Sequence, residues 1–322
     1  MRCHSILLSV LLPTVALAGD AAQPPAVPEV ALPAAPPAHE ASTLPRPPST
    51  GFIRPGEVLE LRMSYGLLGT AGTTRIETLA ETAAEGPRFR IRVATKSSGL
   101  IDTFYTVVND SESVLDAATG RPLVLTTKGK SGKRLTEKTT TFDYAAGQAI
   151  HLNVIRPQHN ATVPLPPEPA YDLMVALMQT RDWRLKPGQS RRVQCVNDDE
   201  FFTIEVTAIA EEQVKTPTGT FDAIVLEPKP VGTPVGFFKK GGSLKVWISK
   251  GDRPQIIRLD TKLKFGTIVA VLTKEETLAP AAAPVGAPAT PPPPQPSSGP
   301  VAPAQQPASP PAAEPAPAAS AP

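Results

Sequence analysis

Cysteine is nearly missing from this chain, and its scarcity excludes a fold held by disulfides. Only Cys3 and Cys195 occur, and Cys3 lies in the first few residues. Histidine is almost as rare, with 4 in the chain. His39 sits in a Pro/Ala-rich stretch, and His151 and His159 stand eight residues apart around Pro157, which reads as surface or loop chemistry rather than a metal or catalytic pair. Neither a Gly-x-Ser-x-Gly nucleophile elbow nor a His-Glu-x-x-His zinc motif is present. Long apolar runs are missing too. Ser5 to Val15 is the longest, well short of the roughly 20 residues a spanning helix needs. Charge of either sign is not in excess: the formal net charge is +2, whereas a nucleic-acid binder concentrates positive charge on one face.

What the chain does contain is punctuated by composition. Met1-Arg2-Cys3-His4, the apolar run broken at Pro13, and the small-x-small site Ala16-Leu17-Ala18 read as a signal peptide over 1–18, cut before Gly19. No cysteine stands at the cut, so a lipid anchor is not expected, and the exported chain should be a soluble, monomeric periplasmic protein. Residues 19–50 and 278–322 are dominated by Pro and Ala. Such segments lack the apolar surface to offset chain entropy and are expected to be disordered with polyproline II character. Residues 51–277 have ordinary composition and form the expected folded domain. Val163 to Pro169 reads as a crossover within it. Cys195, between Gln194 and Val196, reads as a small apolar side chain in a strand.

Within that domain the hydrophobic period is two. Leu59, Leu61, Met63 and Tyr65 alternate with polar or smaller neighbours, as do Phe89, Ile91 and Val93, and Phe202, Ile204, Val206 and Ala208. Ile257, Leu259, Leu263 and Phe265 follow the same rule. Turn chemistry falls at Gly69, Asn109-Asp110, Thr119-Gly120, Asn197-Asp198-Asp199, Thr218-Gly219 and Gly251-Asp252. Thr127 to Arg134 misses the phosphate-loop pattern and reads as a Gly/Lys hairpin tip. The pattern predicts a mainly β fold: one large antiparallel meander sheet curled into an open half-barrel. One short helix is expected in Tyr171 to Trp183, where Leu173, Met174, Leu177 and Met178 share a helical face.

These pieces also carry a resemblance. Gly56-Glu57-Val58-Leu59 with Tyr65 and Gly72, Asp116 with Arg121-Pro122-Leu123, and Phe142-Asp143-Tyr144 occur in order. They are followed by Leu185-Lys186-Pro187-Gly188, Thr218 to Ala223, Val246-Trp247-Ile248-Ser249 and Leu263 to Ile268. Together they resemble the bacterial family known as domain of unknown function 3108, over about Gly56 to Lys274. A helix start Asp172-Leu173-Met174-Val175 stands where that family usually has Asp-Leu-Leu-Ser. The resemblance implies an exported β-rich domain, distantly similar to the Lol-type lipoprotein carriers whose half-barrel cradles acyl chains. It implies no activity, cofactor or metal.

Candidate ligand-binding residues are therefore few. Phe237 and Phe238, in the Gly-rich stretch Val231 to Gly242, read either as a lid over an apolar cavity or as rings tucked into the core. Trp247 lines a groove or packs outside the sheet. Lys239, Lys240, Lys245 and Lys250, with the lysines of 128–138, form either a basic rim for anionic headgroups or ordinary solvated faces. Asp198-Asp199-Glu200 reads as a solvated acidic turn. The expectation is a non-catalytic carrier or binding module for a lipid or other apolar envelope component, the alternative a structural or assembly factor docking an envelope protein.

Overall fold

The structure, a computed structural model, describes residues 50–264 and 266–278, apart from the side chain of Phe237. The leader read at 1–18, the arm up to residue 49, Phe265 and the tail after Leu278 lie outside the described residues.

The period-two segments form strands because each has one apolar edge to bury. Strand β1 (Glu57–Tyr65) buries Leu59, Leu61 and Met63 on one face and exposes Arg62 on the other. Next come β2 (Thr70–Ala83), β3 (Gly86–Ser97), helix α1 (Gly99–Phe104), β4 (Val107–Asp116), β5 (Pro122–Ser131), β6 (Arg134–Asp143), β7 (Gln148–Asn153) and β8 (Ala161–Pro164). A crossover leads to β9 (Ala170–Tyr171) and helix α2 (Leu173–Gln179). The chain ends with β10 (Ser190–Asn197), β11 (Glu200–Thr216), β12 (Gly219–Pro230), β13 (Ser243–Ser249), β14 (Ile256–Leu263) and β15 (Gly266–Thr277). Outer faces are laced with ion pairs: Arg90 with Glu81 and Glu112, Arg92 with Asp110.

All 15 strands join one sheet, in the order β8-β7-β6-β5-β4-β3-β2-β1-β15-β14-β13-β12-β11-β10-β9. Two meanders therefore meet at β1, which pairs with both β2 and β15. The crossover predicted at Val163 to Pro169 carries the chain from one edge of the sheet to the other. Every neighbouring pair is antiparallel except β9 with β10, so the sheet is mixed by that one short pairing.

The sheet is curled but not closed. Lys138 on β6 forms an ion pair with Asp198 in the β10–β11 turn, although the sheet order sets those strands near opposite edges. Helix α2 lies on the concave side, with Leu173, Met174, Val175, Ala176 and Met178 buried. Seven residues are too few for an isolated helix, so packing and its cap hold it. The Asp172 carboxylate accepts from the Met174 and Val175 N–H groups at 2.9 and 3.0 Å and from Ser113 Oγ of β4 at 2.5 Å.

In a meander, alternate connections fall at one end. Those after β1, β3, β5, β7, β10, β12 and β14 define the upper rim; the rest define the lower end. Buried Phe52 and Ile53 close the lower end. There Leu278 N–H donates to the Gly56 carbonyl at 2.7 Å, and Gly56 has φ +85°. A Cβ at Gly56 would lie 2.6 Å from the Leu278 carbonyl oxygen, so only glycine fits.

Three local expectations need correction. Asn109-Asp110 is inside β4 rather than a turn, because Asp110 on the outer face is satisfied by Arg92. The strand expected to run through Leu263 and beyond stops there, and β15 restarts at Gly266. Helix α1 is an addition, unseen in the periodicity because it buries none of its residues. The short helix expected within Tyr171 to Trp183 is α2, with Tyr171 in β9 before it and a 3₁₀ turn at 180–182 after it.

Candidate functional site

The concave face has two unlike walls. On one side a single cross-strand row runs Met63, Ala270, Leu259, Val246, Leu226 and Ala208 from β1 to β11, apolar and buried throughout. On the other, β2 to β7 intersperse small hydroxyls with buried apolar side chains such as Ile76, Ile91, Val93, Leu115 and Leu125. Thr74 faces Thr95 at 3.0 Å, Ser111 faces Thr127 at 3.1 Å, and Thr140 Oγ1 meets His151 Nδ1 at 3.0 Å. These groups are buried, so pairing side by side replaces the hydrogen bonds that water would give. Thr78 Oγ1, in the neighbouring row, is buried without a hydrogen-bond partner among the described residues.

Charge is sparse inside and each instance has a local cause. Lys138 is buried and paired with Asp198. His151, also buried, has its pKa lowered by burial, which outweighs the attraction of Asp198. Burial raises the pKa of Asp172 against the pull of Ser113 and the helix N–H groups. The Cys195 thiol is likewise pushed far up by burial, with the Asp172 charge adding to it, so it carries no nucleophilic character. Desolvation pushes the Tyr144 phenol up as well, and its OH donates to the Pro122 carbonyl at 2.9 Å.

Family comparison accounts for nearly the whole sheet: the model of DUF3108, a protein of unknown function, matches residues 60–273. The chain belongs to the DUF3108 family. No curated protein matches it. Among solved structures it is similar to a β-barrel-like protein of domain DUF1849 from Brucella abortus, at 10% identity and TM-score 0.46, over 69% of this chain and 97% of that one. A Bacteroides fragilis protein with a YmcC-like fold, provisionally classed as exported, aligns at 14% identity and TM-score 0.27 over 70% and 97%. A Parabacteroides distasonis protein provisionally classed as a lipoprotein aligns at 10% identity and TM-score 0.26 over 70% and 98%.

In this DUF3108 domain Phe237 and Phe238 share one 3₁₀ turn, and Trp247 lies on β13. Phe238 is half-buried and packs against the core from a 3₁₀ turn, its N–H donating to the Val235 carbonyl at 3.0 Å. The side chain of Phe237 lies outside the described residues. Trp247 faces the convex side, opposite Val246 and Ile248. Its Nε1 donates to Glu212 Oε2 at 2.8 Å, and the Arg258 guanidinium sits 4.7 Å from the ring centre.

Several readings of polar residues change with the fold in view. His151 is a buried strand residue rather than a surface one, because β7 turns it to the inner face of the sheet. Asp198 and Glu200 are engaged by Lys138 and Lys239 rather than simply solvated. Of the lysines grouped as a rim, Lys250 falls at the lower end, in an ion pair with Glu211. Sequence reasoning missed the Lys138, His151 and Asp198 cluster, because nothing local announces that β6 and the β10–β11 turn meet. Among the described residues no helix is long and apolar enough to cross a membrane.

Proposed function

We propose that this DUF3108 chain is an exported, non-catalytic binding module that takes the apolar part of a lipid or other amphipathic envelope component between the two walls of its curled sheet. One observation carries the reading: a mainly apolar inner face, with paired buried hydroxyls interspersed on β2 to β7, lines a curled sheet whose edges are not joined. Such a face matches a ligand with an acyl or terpenoid body and hydroxyl or ester groups. The sequence supports export through the Ala16-Leu17-Ala18 site. The buried titratable groups support a binding role, since Asp172 caps α2, Arg181 pairs with Glu57 and Cys195 is a high-pKa thiol.

Loading requires the walls to part, because the side chains that line them are already packed. The Lys138–Asp198 ion pair ties β6 to the β10–β11 turn, and opening must break it together with the Ser113 bond to Asp172. Native mass spectrometry of protein purified gently from the periplasm tests the reading. A lipid at fixed stoichiometry is the expected result. A stoichiometric protein partner with no lipid, or no lipid even after incubation with envelope lipid extract, overturns it.

A further inference from the structure

Four neighbouring connections on the upper rim each expose large apolar side chains. Leu67, at the β1–β2 tip, is fully exposed, and Phe104 of α1 is 85% exposed. Leu135 at the start of β6 and Val154 after β7 are more than half exposed. The tips are contiguous through specific bonds. Ser98 N–H donates to the Ala71 carbonyl at 3.0 Å, tying α1 to β2; Gly132 N–H donates to the Thr106 carbonyl at 2.8 Å, tying the β5–β6 tip to α1. Val154 N–H reaches the Glu137 carbonyl at 2.9 Å and adds the fourth tip. Soluble proteins rarely leave an apolar arc of this kind uncovered without a use for it.

The charge pattern beside the arc selects the occupant. Just beneath the tips one cross-strand row reads Lys96, Val108, Lys130, Leu135 over β3 to β6, all four exposed and on the convex face. Lys133 stands at the adjoining tip. Lys96, Lys130 and Lys133 have no ion-pair partner among the described residues, whereas Lys128 in the same hairpin is paired with Glu137. Apolar tips backed by free ammonium groups suit a surface with negative charge outside and hydrocarbon beneath.

We propose that this arc is a membrane-docking surface: Leu67 and Phe104 enter the interfacial layer of a bilayer, and Lys96, Lys130 and Lys133 meet its anionic phosphates. The inference stands apart from the carrier reading, since a docking rim needs no cargo and a cargo site needs no rim. Vesicle co-sedimentation of the chain from Gly19 to Pro322 tests it, with phosphatidylcholine alone and with phosphatidylglycerol added. Binding is expected on the anionic vesicles and should weaken with salt. The pair Leu67→Asp with Phe104→Asp should lose about tenfold or more in partitioning, and Lys130→Glu with Lys133→Glu should lose the anionic preference. These side chains are exposed, so far-UV circular dichroism should show every variant folded. Phe104→Trp adds a positional readout, with emission shifting blue and quenched by brominated acyl chains. No binding by the unaltered chain, unchanged binding by the Leu67 and Phe104 double variant, or an unquenched Trp at 104 would overturn the proposal. If lipid still co-purifies in that event, the carrier reading survives it.

Discussion

Arg181 and Glu57, 124 positions apart in the chain, form a buried two-pronged ion pair, with Nη1 to Oε2 at 2.6 Å and Nη2 to Oε1 at 2.7 Å. Arg181 Nε also donates to the Pro254 carbonyl at 3.1 Å, and Arg54 Nη1 reaches Glu57 Oε1 at 3.1 Å. The pair therefore ties the turn after α2, the start of β1 and the β13–β14 connection together at the lower end. Removing one partner strands a charge in the interior, so Arg181→Met should cost about 3–5 kcal/mol of unfolding free energy, and Glu57→Gln a similar amount. Arg181→Met with Glu57→Gln should cost clearly less than the two singles combined. Urea unfolding of the four proteins measures the coupling; strict additivity would show that the pair acts as two separate contacts.

His151 makes stability depend on pH with a definite sign. Its folded-state pKa lies below the ordinary 6.5 because burial disfavours the cation, despite Asp198 and Asp199 nearby and with Lys138 and His159 opposing charge. The unfolded chain therefore binds the proton first as pH falls. Stability should be full above the ordinary imidazole range and decline as pH drops through it, levelling off below the folded-state value. Replacement by Gln, able to keep a bond to Thr140, should flatten the melting temperature between about pH 7 and 5. An identical pH profile in the variant would assign the acid sensitivity to other groups.

How far the sequence discloses this molecule depends on the range of each interaction. The strands of Leu59 to Met63 and Phe202 to Ala208 are legible because a pleated strand with one dry face has to alternate. The Pro-rich crossover after Val163 and the α2 segment are legible for the same local reason. Asn109-Asp110 misleads because the Arg92 partner that makes Asp110 comfortable in a strand comes from the neighbouring strand, 18 residues earlier. Helix α1 is silent since Leu100 and Phe104 face outward on the rim and Ile101 packs only partly against the core. The Lys138–Asp198 contact is a product of the curl, 60 residues apart in sequence, and the paired hydroxyls of β2 to β7 are one Thr or Ser at a time until the register aligns them.

Cys195 should be chemically silent in the native protein. It is fully buried on β10, and burial pushes its thiol pKa far above the usual range, so thiolate is scarce and reagents cannot reach it. Loss of Cys3 with the leader would leave it the single thiol of the exported chain. A disulfide reagent at neutral pH should label one thiol per chain in denaturant and label the native state at least about a hundredfold more slowly. Rapid native labelling would mean that β10 opens readily.

The C-terminal boundary of the fold is expected close to Leu278. β15 pairs with β1 as far as Thr277 opposite Glu57, and Leu278 N–H closes the ladder on Gly56. Residues 279–322 are nearly all Pro, Ala, Ser and Gln, a composition that predicts few native contacts. Truncation after Leu278 should therefore shift stability by no more than about 0.5 kcal/mol. Truncation after Lys274 is a different matter. It removes the pairs Leu59↔Glu275, Val58↔Glu276 and Glu57↔Thr277, and with them the Glu275 side chain that Gln255 bonds at the lower end. Leu278 can then no longer hold Gly56, so β1 loses its clasp where Glu57 must be positioned for Arg181. Each lost hydrogen bond is worth about 1 kcal/mol, and the shorter protein should be destabilised by about 2–4 kcal/mol. Thermal and urea unfolding of the two truncations decide the matter. A loss of more than about 1 kcal/mol on cutting after Leu278 would mean that the tail docks on the domain, because residues without native contacts cannot contribute that much.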